Sequence, residues 1–147
     1  LLTTYIQSSK PRAARVRCVN QIGWHNDCFV LPDQTLGNSH QERLILQNHS
    51  TNLPYYGTAS NLQEWRENVS KLCMGNTRLI FSLCVAFAAP LLHLLGIEGG
   101  GFHLRGPSSI GKTTALAVAA SVWGGSDYIQ RWHTTTNGLE AIAASHN

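Results

Sequence analysis

The stretch GPSSIGKTT, Gly106–Thr114, decides the fold of this 147-residue chain. It meets the pattern G-x-x-x-x-G-K-[ST], with Gly106, Gly111, Lys112 and Thr113 at the four defined positions. Glycines let the backbone curl so that successive N–H groups converge on an anion, and the helix that follows adds its positive N-terminal end. The stretch therefore predicts a loop that binds phosphate.

Each residue of the loop has an expected contact with a nucleoside triphosphate. Lys112 would reach the β- and γ-phosphates as a point charge, which makes it the candidate catalytic residue, and the Thr113 hydroxyl would coordinate Mg²⁺. A glycine turn before a buried helix is the alternative, but a turn alone does not need lysine and threonine at these positions. The predicted nucleotide-binding residues are Gly106, Ser109, Ile110, Gly111, Lys112, Thr113 and Thr114.

The residues on either side of the loop fit this interpretation. FHLR, Phe102–Arg105, predicts a short strand that leads into the loop. The small residues of Thr113–Trp123 predict a helix, which Gly124 and Gly125 end. Strand, loop and helix in this order are the context that a phosphate loop requires, so we predict an α/β fold of the P-loop NTPase type.

Two further helices are predicted before the loop. Apolar residues three and four apart indicate an amphipathic helix over Leu62–Leu72, with Ser60 or Asn61 as its cap and Gly75-Asn76 as its stop. Thr77–Leu95 is apolar on all sides, so we expect it to be buried under other elements or a partner subunit. A membrane span is the alternative for this helix, and we expect no membrane contact because its apolar run is short for a span.

The first part of the chain has the pattern of strands and turns. Strands are predicted within Arg15–Ile22, Cys28–Leu31 and Glu42–Gln47, with GWHND at residues 23–27 as a turn. We therefore divide the chain into a β-rich region, residues 1–57, and residues 58–147, a helical segment that leads into an incomplete P-loop core. After the loop, Tyr128–Trp132 is a candidate strand and Gly138–Ser145 a candidate helix.

Composition and charge are those of a globular protein. The chain is 43% hydrophobic and 13% charged, and its formal charge of +3 permits a nucleic-acid partner without indicating one. Four cysteines without a C-x-x-C pair favour free thiols, and no basic start followed by an apolar run opens the chain, so we expect a cytoplasmic protein. The missing methionine at position 1 indicates a piece of something longer. Core packing is favoured over base stacking for Trp24, Trp65, Trp123 and Trp132.

Hydrolysis needs an acidic residue as well as the loop. In P-loop NTPases it comes from a later apolar strand that ends in Asp or Asp-Glu. Downstream of Lys112 the acids are Asp127 and Glu140, and neither ends an apolar strand. We therefore expect the chain to bind a nucleotide and to lack its own catalytic acid.

Several segments together resemble the family catalogued as domain of unknown function 927, over most of the chain from about Ile22 onward. These segments are GWHNDCFVLPD, GNTRLIFSLCVAFAAPLLHLLG, GGFHLRGPSSIGKTTALAVAASVWGG and the W-x-T-x-T-N-G-L-E series from Trp132 to Glu140. The resemblance implies a P-loop ATPase of mobile genetic elements, similar to ring-forming AAA+ helicases of the minichromosome-maintenance type. It implies ATP as the nucleotide, an N-terminal fragment of the motor domain, a homo-oligomeric ring and DNA as a partner of the intact protein.

Two functions from different classes stay open at this point. One is an ATP hydrolase of the helicase type, inactive without residues beyond Asn147, where the family has an apolar strand ending in acids. The other is a regulatory module that binds a nucleotide and switches a partner interface without hydrolysis. A P-loop kinase is less favoured, because the sequence contains no recognisable acceptor site.

Overall fold

The computed structural model describes residues 2–8, 15–37, 42–47, 56–130, 140 and 143–144 of the chain. The chain divides into two compact units, Leu1–Asn48 and His49–Asn147. Within the described residues the architecture is mixed α and β, with two small sheets in the first unit and helices in the second.

The first unit contains a short helix, α1, at Leu2–Ser8, and five strands. Strand β1, Val16–Val19, pairs in parallel with β5, Arg43–Leu46. Three further strands form an antiparallel meander in the order β2-β3-β4. The meander strands are β2, Gly23–His25, β3, Cys28–Val30, and β4, Thr35–Gly37.

The predicted strands are confirmed as β1, β3 and β5, but the turn predicted at residues 23–27 is wrong in its first half. Gly23–His25 pairs with β3, and the turn itself consists of Asn26 and Asp27. Asn26 has φ 54°, a left-handed conformation that asparagine tolerates better than most residues. Trp24 points its ring at Phe29 across this hairpin, edge to face with centroids 5.3 Å apart.

Apolar residues from different strands form the core of the first unit. Val19 of β1, Cys28 and Val30 of β3 and Leu44 of β5 are buried together, and Leu46 packs against them. The Thr35 hydroxyl donates a hydrogen bond to the Leu44 carbonyl at 2.9 Å, which ties β4 to β5. Burial of these apolar side chains favours the fold by about 1.5–3 kcal/mol each relative to exposure.

The second unit begins with a helical segment whose hydrogen-bond pattern changes twice. Helix α2, Leu62–Trp65, continues into a π-helical turn, Arg66–Ser70, and a 3₁₀ turn, Lys71–Cys73. A π turn adds a residue to one helical turn, so positions beyond it leave the stripe that a 3.6-residue period predicts. Leu72, beyond the π turn, is 73% exposed, and Leu62, before it, is 62% exposed, although the sequence pattern places both on the apolar face.

Helix α3 has the predicted bounds, Thr77–Leu95. The Asn76 side chain caps it by accepting from the Leu79 N–H, and Gly96 ends it in the left-handed conformation. By length and composition α3 could cross a membrane. Its buried residues are Ser82 and Leu83, so within the described residues the helix is not covered as predicted, and burial by a partner subunit stays a prediction.

Helix α4, Lys112–Ala120, packs along α3. The Trp123 indole donates to the Ala86 carbonyl of α3 at 3.1 Å, and the Trp65 indole donates to the Ser121 hydroxyl at 3.1 Å. Trp65 and Trp123 are therefore packing residues between helices, as the sequence favours. Trp132 lies outside the described residues.

Three predicted elements differ from the structure or fall outside it. Phe102–Arg105 forms neither strand nor helix, and no described segment of the second unit pairs with it. The strand predicted at Tyr128–Trp132 is wrong where it can be checked, since Tyr128 ends a 3₁₀ turn, Ser126–Tyr128. Of the helix predicted at Gly138–Ser145, residues 140, 143 and 144 are described and helical, and the others lie outside the described residues.

Candidate phosphate-binding site

The loop before α4 is an exposed turn whose shape depends on two left-handed residues. Ser109 has φ 61° and Gly111 has φ 87°, and Gly111 caps α4 without any side-chain hydrogen bond. The Ala115 N–H donates to the Gly111 carbonyl at 2.9 Å, which starts the helix. At Gly106 an added Cβ would meet only the end of the exposed Ile110 side chain, which can move aside. The loop thus turns the chain sharply into the N-terminal end of a helix.

The Lys112 ammonium forms two hydrogen bonds across this turn. Its Nζ donates to the Gly106 carbonyl at 2.9 Å and to the Pro107 carbonyl at 2.5 Å. Both acceptors are neutral carbonyls, whereas a phosphate oxygen is charged and would add an ion-pair attraction to the hydrogen bond with the ammonium. The lysine is therefore held at the loop by partners that an anion can replace.

Backbone N–H donors are concentrated at the loop and the first turn of α4. The first N–H groups of α4, at Lys112, Thr113 and Thr114, have no acceptor within a regular helix. In the described part of the chain, the N–H groups of Ser109 and Ile110 donate to no backbone carbonyl. These unpaired donors, together with the positive end of the helix, favour an anion in front of the loop.

Thr113 and Thr114 stand exposed on the first turn of α4, while Ala115 is buried against the rest of the unit. A threonine hydroxyl is an oxygen ligand of the kind that Mg²⁺ accepts when the remaining ligands come from phosphate and water. The contact of Thr113 with a magnesium–nucleotide complex stays a prediction, since Thr114 but not Thr113 lines the cleft beside the loop.

A cleft of about 360 Å³ opens beside the loop, and its lining includes residues that no sequence pattern predicted. It lies between the loop, the chain that leads into it and the N-terminal end of α3. Arg78 comes from the first turn of α3 and Arg105 directly precedes the loop. No short-range pattern links Arg78 to a loop 28 residues later. The lining residues are Asn76, Arg78, Leu79, His103, Leu104, Arg105, Ile110, Gly111, Lys112, Thr114 and Ala115.

Neither candidate acid lies in this cleft. Asp127 sits beyond the far end of α4, which spans roughly 14 Å at 1.5 Å per residue. It is exposed and accepts a 3.4 Å hydrogen bond from the Ser126 hydroxyl. Glu140 is likewise exposed and absent from the lining residues.

A larger hollow of about 500 Å³ lies at that far end of α4, and Tyr56 and Trp65 are among its lining residues. Tyr56 bridges to Gly124 and stacks edge to face on Tyr128, with ring centroids 5.2 Å apart. Burial raises the pKa of Tyr56 far above its ordinary value, and the neighbouring Tyr128 raises it further. The pKa of Tyr128 is also raised by burial. This hollow is separate from the phosphate loop.

Comparison with known proteins gives one family. The model of the family described as "Domain of unknown function (DUF927)" matches residues 1–147, which includes the part before Ile22. No curated protein matches the chain. No solved structure matches it.

Proposed function

Since the chain belongs to the DUF927 family, whose description names no activity, we propose from its own residues that it binds ATP with Mg²⁺ at Gly106–Thr114. In this proposal the chain is the nucleotide-binding part of a P-loop ATPase. The observation that carries it is the Lys112 ammonium bound across the turn to the Gly106 and Pro107 carbonyls, directly before the free N–H groups of α4.

The proposed binding exchanges these two carbonyl contacts for phosphate oxygens. Lys112 leaves the loop carbonyls and pairs with the β- and γ-phosphates, while the backbone N–H groups from Ser109 to Thr114 bind the remaining oxygens. The Thr113 hydroxyl holds Mg²⁺, which neutralises charge on the phosphates. In this arrangement Lys112 contributes to catalysis by stabilising charge that develops on the transferred phosphoryl group.

For the intact protein we propose a helicase-type motor of a mobile genetic element that acts on DNA as a ring of identical subunits. Two features support this part of the proposal: the resemblance carried by the loop and its long flanks, and the apolar surface of α3. Phe87 is 52% exposed and Leu94 is 58% exposed. Apolar surface of this extent favours burial against another subunit.

The test of nucleotide binding compares Lys112→Ala with the unchanged protein in a titration with ATP and Mg²⁺. The variant should bind at least tenfold more weakly, because a charge-assisted hydrogen bond contributes about 1.5–3 kcal/mol. Lys71→Ala, which removes a lysine from an exposed position outside the cleft, is the matched control and should bind as tightly as the unchanged protein. Equal affinity in both variants would refute the proposed site.

A regulatory module without hydrolysis is the second candidate, and the position of the acids favours it. Neither Asp127 nor Glu140 lines the cleft beside the loop. The two functions differ in phosphate release by the protein that binds ATP. Release that Lys112→Ala abolishes identifies an ATPase, whereas ATP binding without release identifies the regulatory module.

A further inference from the structure

We propose that Arg78 and Arg105 bind the same polyphosphate as Lys112, so that the cleft beside the loop is the outer half of the triphosphate site. This inference rests on the proposed nucleotide binding and adds residues to it. Lys112 and Gly111 line the cleft together with Arg78 and Arg105. The ligand that it selects is a triphosphate, recognised by its charge.

The charged residues among those that line the cleft are all basic. Arg78, Arg105 and Lys112 are among its lining residues, His103 adds a fourth basic side chain, and no carboxylate is among them. These residues line a single cleft of about 360 Å³, so a polyanion bound in it would be attracted by positive charge from both arginines and the lysine.

The arginines are free to make such contacts. Arg78 and Arg105 are exposed, and within the described residues no carboxylate pairs with either guanidinium. Since a guanidinium presents a planar fork that matches two phosphate oxygens, it binds phosphate more specifically than an ammonium does. A solvated face would carry charges of both signs, and the lining of this cleft does not.

The dipoles of α3 and α4 add to the positive electrostatic potential at the cleft. Arg78 lies in the first turn of α3, whose cap is Asn76, and Lys112 lies in the first turn of α4. Both residues line the cleft, so the positive ends of two helices meet at it. Because Arg78 belongs to α3, an occupied site would also join α3 to the loop through the ligand.

The experiment titrates the protein and its variants with ATP and, separately, with inorganic tripolyphosphate. Arg78→Ala and Arg105→Ala should each weaken binding of both ligands about tenfold or more, by the same factor for the two ligands, because the lost contact is with phosphate. Arg78→Lys should recover part of the affinity, since it keeps the charge but not the fork. The affinity of Arg78→Ala for ATP should also fall less steeply with added salt.

Arg66→Ala is the matched control, because Arg66 is an exposed helical arginine that does not line the cleft. Thermal unfolding of every variant shows whether its fold is kept. If Arg78→Ala and Arg105→Ala bind like Arg66→Ala while Lys112→Ala loses binding, the inference is overturned and the proposed function stands. If ATP binding falls but tripolyphosphate binding does not, the arginines do not contact phosphate and the inference is also overturned. If the unchanged protein binds neither ligand, both proposals fail.

Discussion

At the scale of single residues, the loop at Gly106–Thr114 depends on backbone conformations that most side chains avoid. Gly111 has φ 87° and opens α4, while Ser109 reaches φ 61° without being glycine. A left-handed residue other than glycine costs roughly 1–2 kcal/mol, so Ser109 carries backbone strain in the loop. Because φ is positive at both Ser109 and Gly111, the backbone of the loop turns back to the start of α4.

Gly111→Ala should destabilise the protein by about 1–2 kcal/mol, because alanine resists a φ of 87°. The space around Gly111 is open, with nothing within 4 Å of an added Cβ, so backbone strain alone causes the effect. Urea unfolding measures it. Gly99→Ala is the control, since its surroundings are equally open and its φ is not in the left-handed region. Equal stability of the two variants would mean that the loop does not hold this conformation in solution.

The sequence predicts the residues of the loop but not those that line the other walls of the cleft beside it. Gly106, Gly111, Lys112 and Thr113 are recognisable because their roles depend on neighbours in the chain. Arg78 takes its place beside the loop through the packing of α3 on α4, which no spacing in the sequence encodes.

At the scale of elements, the helical segment that begins at Leu62 depends on its first turn. The Asn61 side chain accepts the Glu64 N–H at 3.0 Å, and the Ser60 hydroxyl donates to the Glu64 carboxylate. Beyond this turn the segment passes into π and 3₁₀ conformations, so its start is its most regular part.

Asn61→Ala should lower the free energy of unfolding by about 1 kcal/mol, because the loss of a cap leaves a helix N–H without its acceptor. Asn68→Ala, an exposed substitution inside the same segment, is the comparison and should change stability less. Circular dichroism during urea unfolding measures both. A smaller loss for Asn61→Ala than for Asn68→Ala would rule out the cap as a stabilising contact.

The sequence predicts a helix well when capping residues stand at both of its ends. It predicts a strand poorly when the strand depends on a pairing partner elsewhere in the chain. Thr77–Leu95 has Asn76 before it and Gly96 after it, and its bounds are confirmed. Strand β4 has no apolar alternation and is defined by its pairing with Cys28–Val30. Phe102–Arg105 shows the opposite case, since a sequence that favours a strand forms none where no segment that the structure describes lies paired beside it.

At the scale of the whole molecule, the described contacts of the second unit converge on an aromatic cluster at the far end of α4. Tyr56, at the start of the unit, stacks on Trp123 and Tyr128, and Trp65 stacks on Phe87. These rings connect the entry of the unit, the helical segment, α3 and the turn after α4. The cluster therefore links parts of the unit that lie far apart in the chain.

Alkaline pH should destabilise this unit through Tyr56. Its pKa is raised in the folded protein, so above about pH 10 the unfolded chain loses the phenol proton while the folded chain keeps it. Stability is thus full below pH 10 and falls as pH rises above it. Melting temperatures between pH 8 and about pH 11 measure the fall, which Tyr56→Phe should reduce. An equally steep fall in Tyr56→Phe would show that other groups cause it.

The parallel pairing of β1 with β5 has a consequence for how the chain is made. Val16 pairs with Arg43, so 27 residues must leave the ribosome after Val16 before its partner exists. At roughly 5–20 residues per second, β1 waits about 1–5 s with its backbone groups unsatisfied. The β2-β3-β4 meander, whose strands are neighbours in sequence, can form during that interval. A nascent chain that has emerged from the ribosome only as far as residues 37–42 would present β1 without its partner strand, and an unpaired strand edge favours aggregation and chaperone binding.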